Sequence, residues 1–283
     1  MGNFRLLYIG KNLAADMAPY SYTNKERQVA VDVTEDYRKD YEKMQYSEGF
    51  LDYCKDSDFS FKRFLDYWDS IPAVTADKAA EYEANKEPYA LIDKEGNVTK
   101  VIRFINPEGR FYNYMIAEER DTIDWRKELR EIEAERRREY QGAVKLLGRQ
   151  PKFFSNDEVV KMMKNGQFGN FVDGTQEEKE DAVDAANEFY RNQEDRKILA
   201  EALPYVEDNL GSCTEEEYVA KGCLPYFAIL TEHGWYAPTR LLSGGKQVGR
   251  PLKDEDWRNV QIDAIKAATI TPDYQVKIVN CLL

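Results

Sequence analysis

The chain has 283 residues, 42% hydrophobic and 33% charged, with 52 acidic against 40 basic side chains for a formal net charge of −12. That apolar content supports one large or two ordinary domains, and 19 Tyr, 13 Phe and 4 Trp exclude an intrinsically disordered chain. No apolar run approaches the roughly 18 residues of a membrane-spanning helix, and 4 cysteines without a CxxC pair exclude a disulfide scaffold.

The opening MGNFRLLYIGKNL carries too short an apolar run for a secretory signal. Leu6 stands where myristoylation of Gly2 wants Ser or Thr, and Cys281 is third from the end where prenylation wants it fourth. A cytoplasmic protein with free, mostly buried thiols is expected. A single Cys213–Cys223 bridge stays open on spacing alone.

FRLLYIG (4–10) reads as an opening strand and RQVAVDVT (27–34) as a second. EDYRKDYEKM and FKRFLDYWDSI (61–71) read as helices, the second rich in aromatics and ended by Pro72. PYALIDKEGNVTKVIRFI is a hairpin turning at Glu95-Gly96-Asn97, and NPEGR (106–110) is a turn before a strand at RFYNYMI. From Asp124, DWRKELREIEAERRREYQGAVKLLG is the longest helix, with Trp125, Leu129, Ile132, Tyr140, Ala143 and Leu147 at helical spacing. Its Arg136-Arg137-Arg138 run is nearly cancelled by acidic neighbours and reads as a salt-bridged surface rather than a phosphate grip. Gly148 and Pro151 close this region.

A second region opens with Ser155 as a helix cap and a turn at Asn165-Gly166. GTQEEKEDAVDAANEFYRN then reads as a helix, with Thr175 and Glu178 at capping-box spacing. At 100° per residue, Glu177, Asp181, Asp184 and Glu188 form one narrow stripe, while Ala182, Val183, Ala186, Phe189 and Tyr190 lie opposite. From Asp173 to Glu217 there are 15 acidic and 4 basic residues, a balance of −11, so the rest of the chain is nearly neutral. A further helix runs to Leu203. The tail reads as strand-forming LPYFAIL, a turn at His233-Gly234, WYAPTRLL, a Gly-rich loop SGGKQVGRP (243–251), a helix through EDWRNVQIDAIKAA and a last strand QVKIVNCLL.

Two blocks echo each other. Thr75, Glu81-Tyr82-Glu83-Ala84, Pro88-Tyr89, Gly96 and Asp124-Trp125-Arg126 recur in order as Thr214, Glu217-Tyr218-Val219-Ala220, Pro225-Tyr226, Gly234 and Asp256-Trp257-Arg258. Each copy reads helix, hairpin, loop, helix, with the DWR aspartate as N-cap. The expected fold is therefore α+β: two related lobes of short antiparallel hairpins packed on helices, a diverged internal duplication, joined by an acidic helical segment. The expected segments are 1–150, 151–210 and 211–283.

Catalytic signatures are missing. His233 is the 1 histidine, which excludes multi-histidine zinc sites, and no GxSxG elbow accompanies it. Gly244, Gly245, Lys246 and Arg250 form a weak anion-binding candidate, but Gln247 stands where a phosphate loop needs its hydroxyl. No cofactor, metal or catalytic residue is assigned.

The sequence reads best as an acidic, non-enzymatic interaction protein that binds neither nucleic acid directly nor membrane. Its partner-binding candidates are Glu177, Asp181, Asp184, Glu188, Trp235, Tyr236 and Arg240. One concrete form is an inhibitor whose carboxylates imitate backbone phosphates on a nucleic-acid-binding partner, as accessory proteins of phages and mobile elements do. The alternatives are a histidine-independent hydrolase or transferase with a cleft between the lobes, and an assembly subunit.

Overall fold

A computed structural model describes residues 2–55, 58–241, 247–248, 251–268 and 273–283. In chain order the elements are β1 (Asn3–Gly10), α1 (Leu13–Met17), β2 (Val29–Asp32), α2 (Thr34–Met44), α3 (Glu48–Tyr53), α4 (Phe61–Asp69), β3 (Ala73–Val74), α5 (Ala76–Asn85), β4 (Tyr89–Ile92), β5 (Val98–Ile105) and β6 (Asn113–Arg120). They continue with α6 (Trp125–Leu147), α7 (Asn156–Lys164), α8 (Gln176–Asn192), α9 (Glu194–Ala202), α10 (Glu215–Ala220), β7 (Ala228–Thr231), β8 (Gly234–Tyr236), β9 (Arg240–Leu241), β10 (Gln247–Val248), α11 (Asp254–Ala268) and β11 (Gln275–Leu282). The chain is α+β, as its patterning predicts.

Two compact units result, neither continuous in sequence: residues 1–119 with 239–250 and 277–283, and residues 120–238 with 251–276. The division falls at the end of β6, before α6.

In the first unit, β2, β5, β4 and β3 form a sheet in that order. β5 is antiparallel to both β2 and β4, and β3 joins β4 in parallel. The β4–β5 turn closes because Asp93 accepts from the Asn97 backbone N–H at 2.8 Å while Gly96 takes φ +87°, a left-handed value that favours glycine. Helices α2, α3 and α4 place Tyr37, Phe50, Phe64 and Leu65 against Ala90, Val98 and Val101 of this sheet. Much of the aromatic surplus is here, in a run of ring contacts through Tyr41, Phe50, Phe61 and Phe64. Separately, β6, β11 and β1 lie side by side in that order. Leu6, Leu7, Tyr8 and Ile9 of β1 and Ile278, Val279 and Cys281 of β11 are fully buried, as near-continuous apolar runs covered on both faces are.

In the second unit, α6 packs on α9 and α10, burying Tyr140 and Ala143 with Phe153, Leu199, Leu210 and Tyr218. The β7–β8 hairpin pairs Ile229 with Tyr236 and Leu230 with Trp235, and α11 packs along it. Gln261 of α11, fully buried, donates to Leu224 O and Tyr226 O and accepts from Leu224 N, so the strand entry is tied to the helix.

Asp124 caps α6 as expected, accepting from Lys127 N at 3.0 Å. Asp256 does not cap α11: that helix begins at Asp254, and Trp257 N already donates to Lys253 O at 2.9 Å. Three acidic residues in its first turn suit the helix dipole without a side-chain cap at the triplet. All four cysteines are free, Cys54 and Cys281 buried, Cys213 and Cys223 half-buried, so the open Cys213–Cys223 pairing is not formed.

Candidate functional site

The acidic helix forms where its caps put it. Thr175 accepts from Glu178 N at 3.3 Å and Glu178 returns the bond from Thr175 N at 2.7 Å, a complete capping box. Gly174 just before it is required by space: a Cβ there would stand 2.1 Å from Asn170 O. On the inner face, Ala182 and Ala186 are buried against Val159 and Met163 of α7, with Phe168, Phe171, Val183 and Phe189 around them. Small residues at this contact let the two helices approach closely. The far end is held by Tyr190, whose hydroxyl donates to Asp208 at 2.5 Å under the Arg196 guanidinium, 4.0 Å above the ring.

On the outer face, Glu177, Asp181, Asp184 and Glu188 are all exposed. None forms an ion pair among the described residues; Glu188 accepts one long bond from Asn192 at 3.5 Å. With 1.5 Å rise per residue the stripe extends about 16 Å. It is a straight, solvated row of four carboxylates on a helix fixed at both ends.

The other expected partner-binding residues lie elsewhere. Trp235 and Tyr236 are half-buried in β8, paired with β7 and packed near α11, whereas α8 packs on α7 and α9. The structure therefore does not gather them with the acidic stripe. Arg240 contributes its backbone to the β9–β10 pair, opposite Val248, and its side chain lies outside the described part. Gly244, Gly245, Lys246 and Arg250 also lie outside the described residues. His233 sits at the exposed β7–β8 hairpin tip, its Nε2 3.6 Å from Glu232, the solvent-facing polar place its turn position predicts.

What the sequence did not disclose is a recurring cluster of tyrosine, carboxylate and arginine. Tyr226 donates to Glu128 at 3.0 Å, and Arg120 reaches both that carboxylate (2.5 Å) and the phenol (3.1 Å). Tyr37, Asp69 and Arg103 make the same triangle in the first unit, with Arg103 3.0 Å from Asp69 and 2.9 Å from the phenol. Tyr218 donates to Glu139 while Arg136 stacks 3.9 Å over its ring and pairs with Glu207. Burial, then the carboxylates beside them, pushes these phenols above their ordinary range, so they are neutral donors rather than bases. The partners stand up to 106 positions apart, and no local spacing announces them.

Glu128 also lines a cleft of about 470 Å³ with Asp124, Lys127, Glu131 and Glu135 of the α6 region. Its carboxylate is already committed to Arg120 and Tyr226, and among the described residues no three His, Cys, Asp or Glu are grouped to hold a metal ion. Burial raises the Cys213 thiol, and raises Cys223 to about 11 and Cys281 to about 12, so these three are not activated nucleophiles. No protein-family model matches the chain, and neither the curated proteins nor the solved structures yield a match.

Proposed function

We propose that this is an acidic interaction protein whose α8 face occupies a basic, nucleic-acid-binding surface of a partner protein, as an inhibitor would. The observation that carries the reading is the stripe Glu177, Asp181, Asp184 and Glu188, exposed and without ion pairs among the described residues. A groove built for a phosphate backbone owes much of its affinity to charge, and a rigid row of carboxylates competes for the same lysines and arginines. The balance of −11 between Asp173 and Glu217 adds a field of the same sign, which speeds encounter with a cation-lined surface and opposes direct contact with nucleic acid. The reading places the protein in the cytoplasm. It also keeps the two echoing blocks as diverged copies, supported by the shared order of helix and hairpin at Thr75–Ile105 and Thr214–Tyr236, although Thr214 caps its helix and Thr75 does not.

The test is capture from a lysate of the source organism by the immobilised chain and by a chain carrying Glu177→Lys, Asp181→Lys, Asp184→Lys and Glu188→Lys. The expected result is a basic, nucleic-acid-binding protein held by the unaltered chain alone and displaced by added duplex DNA. Equal capture by both chains ends the reading.

A further inference from the structure

β6, like the shorter β2, is exposed along most of its length. Met115 is 65% and Ile116 41% exposed, and Asn113, Ala117, Glu118 and Glu119 are also exposed. Among the described residues it has a strand neighbour, β11, on one side only. Tyr112 N donates inward to Leu282 O, and Lys277 reaches Glu119 at 2.8 Å, so β6 runs antiparallel to β11. Backbone groups alternate along β6, so every second residue directs its N–H and C=O away from β11. Before the bend at Tyr112, the Phe111 carbonyl accepts from Tyr22 N at 2.8 Å. Among the described residues the 20–22 segment pairs with the chain at that point, and β6 beyond it is exposed and apolar at its centre, the kind of edge that serves as a template for another strand.

We infer that the occupant of this edge is a second copy of the chain, joined β6 to β6 in antiparallel register about a twofold axis at Ile116. A twofold pairing of one strand with its own copy must set some residue opposite itself. Centring on Glu118 or Glu119 opposes like charges, and centring on Ala117 sets those carboxylates against Ile116 and Met115. Centring on Met115 carries the partner strand's acidic end onto the stretch already occupied by Ser21 and Tyr22. Centring on Ile116 avoids these conflicts over residues 113–119: Ile116 meets Ile116, Met115 meets Ala117, and Glu118 and Glu119 meet the uncharged Tyr114 and Asn113. The acidic ends separate to opposite ends of the ribbon, so the arrangement is self-complementary in charge as well as in apolar surface.

The experiment is light scattering of the full chain across a concentration series, with Ile116→Lys and Ile116→Cys beside it. The expected result is a dimer mass that Ile116→Lys abolishes, its dissociation constant rising at least about tenfold as two lysines are forced together. Ile116→Cys should be locked as a disulfide-linked dimer by mild oxidation, because the facing Cβ atoms stand within bridging distance, while the unaltered chain is not. Circular dichroism establishes that Ile116→Lys is folded; should it fail to fold, the cysteine variant alone decides. A monomer at every concentration overturns the inference, as does a dimer that survives Ile116→Lys or that Ile116→Cys does not lock.

Discussion

At the scale of single residues, the molecule solves one problem repeatedly: how to bury a phenol without orphaning its hydroxyl. Buried Tyr8, Tyr37, Tyr89, Tyr218 and Tyr226 donate to carboxylates and Tyr140 to the Cys213 carbonyl, and at Tyr37, Tyr218 and Tyr226 an arginine balances that charge or stacks on the ring. The protons are correspondingly held. Burial and a carboxylate acceptor raise Tyr89, bonded to Glu83, and Tyr190, bonded to Asp208, to about 12. An unfolded tyrosine titrates near 10, so the folded chain binds these protons more tightly than the unfolded one. Their contribution to stability is complete below about pH 10 and is lost as pH climbs from there toward about 12. Urea midpoints taken over that window should fall in step with tyrosinate absorbance, and Tyr190→Phe should make the fall shallower. Asp195 is a buried carboxylate whose oxygens are likewise all supplied with donors. Its carboxylate is 1% exposed, receives both Arg149 nitrogens at 2.6 Å and accepts Lys152 N at 2.8 Å. Asp195→Ala orphans that backbone donor, but Arg149 is 55% exposed and water can take over its side of the pair. The expected loss is therefore about 2–3 kcal/mol in urea unfolding, at or below the low end for a fully buried pair.

At the scale of elements, local chemistry decides where helices start. Ser155, Thr175 and Thr214 all form complete capping boxes with the glutamate three positions on. Thr175→Ala should cost about 1 kcal/mol, read as a lower urea midpoint. Gly174→Ala should cost more, about 1–3 kcal/mol, because its Cβ meets backbone at Asn170 O, which cannot swing aside. These starts were legible because a cap and its reciprocal glutamate are neighbours in sequence. The β4–β5 hairpin was legible for the same reason, through Asp93, Gly96 and Asn97. Short pieces such as α3 and β3 were not, since a six-residue helix and a two-residue strand exist only by packing on neighbours. The acidic stripe was readable from periodicity alone. Its separation from Trp235 and Tyr236 was not, because which helices pack together is set by long-range contacts such as Ala182 and Ala186 on α7. The DWR triplets show the limit of pattern: the same three residues open α6 at a cap but lie inside the first turn of α11.

At the scale of the whole molecule, the negative charge is concentrated where the fold gains least from it. Glu177 and Asp181, and Asp184 and Glu188, are like charges at i,i+4, with Asp181 and Asp184 at i,i+3 between them. Each such pair costs a helix about 0.2–0.5 kcal/mol, and none of the four carboxylates recovers that through an ion pair among the described residues. A purely structural surface would gain from mixed signs here. Asp181→Lys turns repulsion toward Glu177 and Asp184 into attraction and should raise stability by about 0.5–1 kcal/mol at low ionic strength. The gain should shrink as salt passes about 0.1 M, where charges on the surface are screened beyond about 10 Å. Urea midpoints at two ionic strengths measure both effects. If the same substitution also weakens partner capture, stability and function pull against each other at one residue, as expected of a face kept acidic for binding. A destabilising Asp181→Lys would instead mean that the carboxylate supports the fold, and the free acidic face would lose its basis.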